Sequence, residues 1–169
     1  MKLHLGCGGV RLEGYTNIDL RGGPSCDIVC DIVKLDFPDN SVDEIFMNAV
    51  FEHLWKGEQE VALRLWHRIL KPKGLLKIKS LPDFERVARA FLNKEKGIVG
   101  PVFDLYNVSR YTHGAYGEGD LLQIHKDIFT KDSISSLLRN TGFDILKIEN
   151  AYWENEPIDV NLSIEAMKR

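Results

Sequence analysis

Short apolar runs alternate with longer amphipathic stretches along the chain, and this alternation predicts strands and helices in turn. Apolar side chains recur at helical spacing from Ala62 to Leu70, and the segment 71–74 ends that stretch. Asp83 and Thr130 each precede a further helical pattern, in the position of an N-cap. The expected strands lie near residues 3–5, 15–20, 26–31, 44–48, 75–80, 143–149 and 160–166. This order predicts an α/β fold with a mostly parallel sheet.

The stretch from residue 97 to residue 124 interrupts the pattern. It contains five glycines and several aromatic or imidazole side chains, among them Tyr106, Tyr111, His113 and Tyr116. A long irregular segment inside a compact domain is either a functional loop or a disordered one. We therefore predict a single domain over residues 1–169, with a lid or substrate-binding insertion at 97–124.

Composition narrows the class of partner. The 169 residues carry a formal net charge of -3, whereas a general nucleic-acid binder presents a basic face. No apolar run approaches the roughly 18 residues that span a bilayer, and the N-terminus lacks the apolar stretch of a secretory signal. We expect a soluble protein with a small-molecule substrate, and neither a membrane nor a nucleic acid as partner.

The cysteines predict a reducing compartment and no metal. Cys7, Cys26 and Cys30 are odd in number and lack the spacing of a disulfide scaffold, so the cytoplasm is the simplest location. Cys26 and Cys30 fall on one expected strand, about 13 Å apart at the rise of a strand, which is too far to share a zinc ion.

A glycine turn after the first strand supplies the first candidate chemistry. Gly6, Gly8 and Gly9 follow the strand at 3–5, and Asp19 ends the next strand. Glycine lets the backbone approach a ligand, and a carboxylate in that place accepts hydrogen bonds from ribose hydroxyls. The pattern indicates a cofactor that contains adenosine.

The spacing disfavours a dinucleotide. Arg11 stands where the dinucleotide fingerprint has its third glycine, and Asp19 follows Gly6 by 13 residues, whereas the fingerprint places the acid about 20 residues on. Residues 6–15 leave room only for a minimal crossover, so the helix that would hold a pyrophosphate is short or absent. S-adenosylmethionine has no pyrophosphate and tolerates that loss better than NAD does.

The end of the third expected strand extends the candidate site. Asp31 lies at its carboxyl end, and ligands of open parallel sheets lie beyond the carboxyl ends of the strands. Asp31 is therefore a candidate acceptor for the adenine amino group, and Ile32 a candidate to pack on the ring.

Six segments in order resemble the class I S-adenosylmethionine-dependent methyltransferases, in particular methyltransferases of type 11. They are Leu5–Gly8, Asn17–Leu20, Leu35–Asp43, Glu52–Leu54, Leu70–Gly74 and Leu138–Phe143. The resemblance implies a Rossmann-like, doubly wound, seven-stranded sheet, mostly parallel with an antiparallel last strand. It also implies S-adenosyl-L-methionine as cofactor, with contacts from Gly6, Cys7, Gly8, Asp19, Leu20, Asp31, Ile32 and Asn48. One departure is His4, which replaces an acidic residue that members of the family often carry.

The chemistry of methyl transfer guides the choice of catalytic candidates. Transfer from a sulfonium is an in-line displacement, and a base is needed only where the acceptor must lose a proton. His125 is our first candidate and His113 the second, because each lies in or beside the glycine-rich stretch. The alternative to a catalytic role, for both histidines, is a structural one in which the side chain only forms a hydrogen bond to a loop carbonyl.

Four further residues are candidates for substrate binding. Glu52 and His53 match the Glu-His-Leu element of the resemblance, and their alternative role is to begin the next helix, where the helix dipole favours Glu52. Tyr111 and Tyr116 are candidates to line an acceptor pocket.

The sequence thus predicts an enzyme that methylates a small molecule or a sugar-like biosynthetic intermediate. A non-catalytic protein that binds S-adenosylmethionine on the same fold is the alternative. A nicotinamide-dependent oxidoreductase comes third, because the glycine spacing opposes it. The attacking atom and the oligomeric state stay open.

Overall fold

The fold is described from a computed structural model, which describes residues 1–114 and 120–169. The strands are β1 (Lys2–Leu5), β2 (Thr16–Asp19), β3 (Ile28–Val29), β4 (Val42–Asn48), β5 (Leu70–Pro82), β6 (Phe143–Ala151) and β7 (Asn161–Lys168). The helices are α1 (Lys56–Ile69), α2 (Phe84–Leu92), α3 (Leu105–His113) and α4 (Lys131–Asn140). Single 3₁₀ turns lie at Ile32–Lys34, Phe51–His53 and Leu121–Gln123.

The seven strands form one sheet in the order β3-β2-β1-β4-β5-β7-β6. Strands β1 to β5 pair in parallel, and β7 runs antiparallel to both β5 and β6. This arrangement confirms the predicted α/β sheet with an antiparallel last strand. The strand order reverses between β1 and β4, where the chain leaves the sheet in opposite directions, so a crevice opens at the carboxyl ends of these strands.

One face of the sheet forms the apolar core. Leu3 and Leu5 of β1 lie beside Ile45 and Met47 of β4, and all four side chains are fully buried. Helices α1 and α4 supply the other half of this core. Trp66 of α1 is also fully buried, and its indole N–H donates to the Ile32 carbonyl at 3.0 Å, which ties α1 to the segment after β3.

The other face carries polar and charged side chains. Glu44 of β4 is 5% exposed, accepts a hydrogen bond from the Tyr15 hydroxyl and lies 2.9 Å from the Lys77 amine. His4 lies on this same face, where its Nδ1 is 3.0 Å from Asn17 Oδ1. Successive residues of a strand point to opposite faces of the sheet. The apolar residues of β1 and β4 therefore face helices α1 and α4, and the polar residues between them lie on the other face.

The helix ends follow the sequence, with one difference. Asp83 accepts a hydrogen bond from the Glu85 amide and Thr130 from the Ser133 amide, each at 3.2 Å, so both predicted N-caps are confirmed. The expectation that residues 97–124 are irregular is wrong for α3. Asp104 caps this helix, and the buried Asn107 fastens it by accepting from the amides of residues 98 and 99. Local capping therefore outweighed the glycine content that suggested a loop.

Within the described part of the chain, none of the helices has the length and apolar character needed to cross a membrane.

Candidate functional site

A groove of about 510 Å³ opens at the carboxyl ends of β1 to β4. This volume lies in the range of small-molecule and cofactor sites. We call it the cofactor groove. Its lining comprises Gly6, Gly8, Gly9, Asp19, Leu20, Arg21, Gly22, Asp31, Ile32, Ala49, Val50, His53, Leu54, Leu122 and Gln123.

The glycine turn that follows β1 forms the floor of the groove. Gly6 has a φ of +66°, and a Cβ added there would lie 2.4 Å from Cγ2 of Val50. Gly8 also has a positive φ, of +52°. Both the left-handed backbone and the contact with Val50 require glycine at position 6, so the turn lies close against the end of β4.

Asp19 joins the two loops that flank the groove. Its Oδ2 accepts a hydrogen bond from the Gly8 amide at 2.8 Å, and its Oδ1 accepts one from the Arg21 amide at 2.8 Å. Each carboxylate oxygen can accept more than one hydrogen bond. The side chain is therefore held in place by backbone while retaining acceptor capacity toward the groove.

Asp31 and Ile32 form the wall at the end of β3. Asp31 accepts from the Val33 amide at 3.1 Å, which caps the 3₁₀ turn, and it lies 3.2 Å from the Lys34 amine. Ile32 is 9% exposed and packs into the core. An acidic and an apolar group thus lie side by side at this end of the groove.

Two residues predicted to contact the cofactor do not belong to the lining of the groove. Cys7 is buried, with its Sγ 3.8 Å from the Ser25 carbonyl oxygen, and burial raises the pKa of its thiol to about 11. Asn48 is exposed and lines a separate depression together with Lys79. At that end of the groove the lining comes from Ala49 and Val50, the two residues that follow β4.

A second cavity, of about 150 Å³, adjoins the groove. We call it the inner cavity. Its lining comprises Ala49, Glu52, His53, Ser80, Pro82, Arg110, Tyr111, Gln123, His125, Trp153, Glu156 and Asn161. Ala49, His53 and Gln123 line both spaces, so the groove and the inner cavity meet at these three residues.

Glu52, His53 and His125 converge at this junction. The His53 and His125 rings have centroids 5.1 Å apart, and Glu52 is 2% exposed. Burial raises the pKa of Glu52 to about 8 and lowers the pKa of His125 to about 4. Burial also lowers the pKa of His53. At neutral pH, in the absence of a ligand, the carboxyl is therefore largely protonated and the imidazoles are neutral.

Backbone carbonyls orient both imidazoles. The Nδ1 of His53 lies 3.1 Å from the Ile124 carbonyl oxygen, and the Nδ1 of His125 lies 2.9 Å from that of Tyr111. A carbonyl oxygen only accepts, so each Nδ1 carries the hydrogen and each Nε2 keeps its lone pair. His125 therefore forms a hydrogen bond to a backbone carbonyl, but to that of Tyr111 in helix α3 and not to the loop carbonyl of its alternative role, and its Nε2 keeps the lone pair.

The remaining predicted residues divide between the inner cavity and other places. Tyr111 lines the cavity, 7% exposed, and its hydroxyl donates to Glu156, which Arg110 approaches to 3.3 Å. His113 is exposed at the end of α3, with its Nδ1 2.8 Å from the Thr112 hydroxyl, and it lines neither space. Tyr116 lies outside the described residues.

Several residues that line the inner cavity were not predicted from the sequence. Trp153, Glu156 and Asn161 come from the connection between β6 and β7 and the start of β7. None of the three was predicted as a site residue. Their place beside His125 depends on how β7 inserts between β5 and β6, which no local pattern reveals.

The strand order with an antiparallel β7 defines the fold of the class I methyltransferases, and comparisons with known proteins agree. Residues 13–78 match the family described as Methyltransferase domain. The chain is 31% identical over 90 residues to malonyl-[acyl-carrier protein] O-methyltransferase 1 of Coxiella burnetii, an overlap of 53% of this chain and 31% of the relative. The chain therefore spans about a third of the length of this curated relative.

Two solved structures share the fold across 99% of this chain. One is the 1,6-didemethyltoxoflavin-N1-methyltransferase of Burkholderia thailandensis with bound 1,6-didemethyltoxoflavin and S-adenosylhomocysteine, with a TM-score of 0.64, 17% identity and 70% of that chain covered. The other is an S-adenosylmethionine-dependent methyltransferase of Methanosarcina mazei, with a TM-score of 0.62, 17% identity and 91% covered. The predicted resemblance is confirmed: residues 13–78 match the methyltransferase family, and the chain shares the fold of S-adenosylmethionine-dependent methyltransferases.

Proposed function

We propose that the chain transfers a methyl group from S-adenosylmethionine, held in the cofactor groove, to a small polar acceptor held in the inner cavity. The observation that carries this proposal is the junction of the two spaces at Ala49, His53 and Gln123. Methyl transfer requires donor and acceptor in line and at close range, and two adjoining cavities meet that requirement.

The groove suits the adenosyl part of the donor. In this proposal Asp19 accepts from the ribose hydroxyls, Asp31 accepts from the adenine amino group, and Ile32 packs on the ring. The Gly6 turn brings backbone close to the methionine part. Bound in this way, the donor would supply its methyl group at the junction, which His53 lines together with Ala49 and Gln123.

The inner cavity suits an acceptor with both hydrogen-bond donors and acceptors. Among the described residues, two buried side-chain atoms have no hydrogen-bond partner, Glu52 Oε2 and Asn161 Nδ2, and both residues line this cavity. An unsatisfied buried polar group costs about 1–3 kcal/mol, which a polar ligand would recover. A small molecule or a sugar-like intermediate with hydroxyl groups fits this pairing.

The transfer step uses few protein groups. The acceptor atom attacks the methyl carbon, the new bond forms as the carbon–sulfur bond breaks, and the electron pair stays on sulfur to give S-adenosylhomocysteine. The acceptor's proton passes to His125 Nε2, and the imidazolium formed then loses it to solvent. Because the pKa of His125 is about 4, it takes up this proton only as the forming bond to the methyl carbon makes the acceptor's proton acidic.

Thermal shift separates this proposal from a nicotinamide enzyme. A ligand at about 100 times its dissociation constant stabilises the folded state by roughly 2.7 kcal/mol. We expect S-adenosylmethionine and S-adenosylhomocysteine to raise the melting temperature and NADH to leave it unchanged. The reverse result would reject the proposal.

Transfer itself is measured with methyl-labelled S-adenosylmethionine and fractionated metabolite extracts. Label in a small-molecule fraction supports the enzyme, and the matched control is the same extract without protein. Tight binding of the donor with no label in any fraction would instead establish the non-catalytic alternative. We also propose a reducing, cytoplasmic location, which the three free cysteines support.

A further inference from the structure

We infer that Glu52, His53 and His125 together bind a divalent transition-metal ion such as zinc at the junction of the groove and the inner cavity. The evidence that an ion binds is the geometry of these side chains. Its part in methyl transfer, which is to hold an acceptor oxygen, rests on the proposed function.

The spacing of the three side chains is the first argument. One ligand atom from each residue can be chosen so that all lie within 4.8 Å of one another. Tetrahedral ligands at bonds of about 2.1 Å are separated by about 3.4 Å, so the ligand atoms would have to approach one another by no more than about 1.4 Å. Two imidazoles and one carboxylate are an established catalytic zinc set, which leaves further positions for water or substrate.

The orientation of the imidazoles is the second argument. A metal-binding histidine typically donates its other ring N–H to a carbonyl or carboxylate, which fixes the ring and its tautomer. The Nδ1 atoms of His53 and His125 both face backbone carbonyl oxygens, at 3.1 and 2.9 Å. Tyr111 of helix α3 and Ile124, which follows the 3₁₀ turn at Leu121–Gln123, thus orient both imidazoles so that their Nε2 lone pairs can serve as ligands.

The state of Glu52 is the third argument. The side chain is 2% exposed, and its Oε2 has no hydrogen-bond partner among residues 1–114 and 120–169. The nearby Lys126 does not serve it, because the Lys126 amine donates to the carbonyls of Leu121 and Ile124. A buried carboxyl without a partner is costly, and coordination of a cation would satisfy it.

The position of the site suggests what the ion would do. His53 lines both spaces, and the other two ligands line the inner cavity. An open coordination position would therefore face the acceptor, and a bound cation lowers the pKa of a coordinated hydroxyl. Coordination would then replace proton uptake by His125 as the means of activating an oxygen acceptor.

Cobalt(II) and zinc(II) titrations of chelator-treated full-length protein test the site. We expect one ion per chain, visible d–d absorption of the bound cobalt, and its displacement by zinc. Glu52→Gln and His125→Gln should each weaken binding by about 100-fold or more, because each removes a ligand. His67→Gln is the matched control, since His67 packs against Phe143 at the opposite edge of the sheet, and it should bind as the wild type does.

Nitrogen NMR of the wild-type histidines avoids dependence on the variants folding. Zinc should shift the Nε2 resonances of two of the five histidines while their Nδ1 atoms stay protonated. Sub-stoichiometric binding, or unchanged affinity in both ligand variants, would overturn the inference. S-adenosylhomocysteine thermal shifts run in parallel keep the two failures apart: a shift without metal binding rejects only the ion, and metal binding without a shift rejects only the proposed function.

Discussion

The cofactor groove and the inner cavity are built in different ways. The glycine turn and the two acidic strand ends of the groove all lie between Gly6 and Ile32, within one stretch of chain. The inner cavity draws its lining from positions between Ala49 and Asn161. A site made of backbone turns and strand ends is encoded locally, whereas a site made of side chains from distant elements depends on the whole fold.

The two spaces also differ in how their polar groups are satisfied. In the groove, both oxygens of Asp19 already accept backbone hydrogen bonds at 2.8 Å. In the inner cavity, Glu52 Oε2 and Asn161 Nδ2 have no partner among the described residues. The acidic side chain of the groove is therefore already held by backbone, whereas the inner cavity has two polar atoms whose missing hydrogen bonds a polar ligand would supply.

Gly6→Ala should damage the groove most. The new Cβ would lie 2.4 Å from Val50 at a φ of +66°, so left-handed strain of about 1–2 kcal/mol adds to overpacking of about 1–3 kcal/mol. We expect the affinity for S-adenosylhomocysteine, measured by calorimetry, to fall by about 100-fold or more. Gly23→Ala is the control, because a Cβ there has open space. Equal affinity in the two variants would contradict this account of the turn.

Asp19→Asn should cause the second-largest loss of affinity for S-adenosylhomocysteine. The amide retains one acceptor oxygen but turns an NH₂ group toward a backbone N–H of Gly8 or Arg21, and it loses the charge that a ribose hydroxyl would meet. We expect the dissociation constant of S-adenosylhomocysteine to rise by about 10- to 100-fold. Asp144→Asn, on an exposed residue at the start of β6, should leave it unchanged. If both variants bound S-adenosylhomocysteine more weakly, the change in net charge, and not the loss of a group in the groove, would explain the result.

Tyr111→Phe should affect the inner cavity and spare the groove. The change removes the hydroxyl that donates to Glu156, at a cost of about 1–2 kcal/mol in the free energy of unfolding. Chemical denaturation measures this cost, and the KM of the acceptor should rise while cofactor affinity stays the same. Tyr106→Phe is the control, because Tyr106 is 62% exposed. A comparable loss of cofactor affinity would show that the two spaces are not separable.

Acid should weaken the hydrogen bonds that Asp27 accepts from Asn17 of β2, the strand that also carries Asp19. We expect this effect to be the smallest of those considered. Hydrogen bonds from Asn17 and Arg11 lower the pKa of Asp27 to about 2, against about 3.9 in the unfolded chain. A depressed pKa contributes stability that is present above about pH 4 and lost as the pH falls toward about 2.

Asp27→Asn should therefore reduce the slope of unfolding free energy against pH in that window. The reduction is partial, because Asp43 has a similarly depressed pKa. Denaturant midpoints measured across the window give the slope, with Asp144→Asn again as control. An unchanged slope in Asp27→Asn would rule out this support.

Much of the fold was predictable because its signals are local. The caps at Asp83 and Thr130 follow from side chains that reach amides two or three residues on, and the strands follow from short apolar runs. Helix α3 was missed because the glycines around it dominated the reading of residues 97–124. Its cap at Asp104 and the buried Asn107 were the signals that could have revealed it.

The candidate site was predictable to different degrees. Gly6, Gly8, Asp19, Asp31 and Ile32 were expected around a cofactor and line one groove. Asn48 ends β4 and does not line the groove, whose lining at this point comes from Ala49 and Val50, beyond the strand. Whether these residues contact S-adenosylmethionine stays a prediction.

By itself, the sequence determined the order of strands and helices, the bend at Gly6 and the acidic ends of β2 and β3, because each depends on the conformation of a few neighbouring residues. Only the tertiary structure decided that Glu52 and His53 meet His125, across more than seventy positions of chain. It also decided that one oxygen of the buried Glu52 carboxyl has no hydrogen-bond partner in the part of the chain that the structure describes. Such convergence follows from packing among distant elements, for which no local spacing is a substitute.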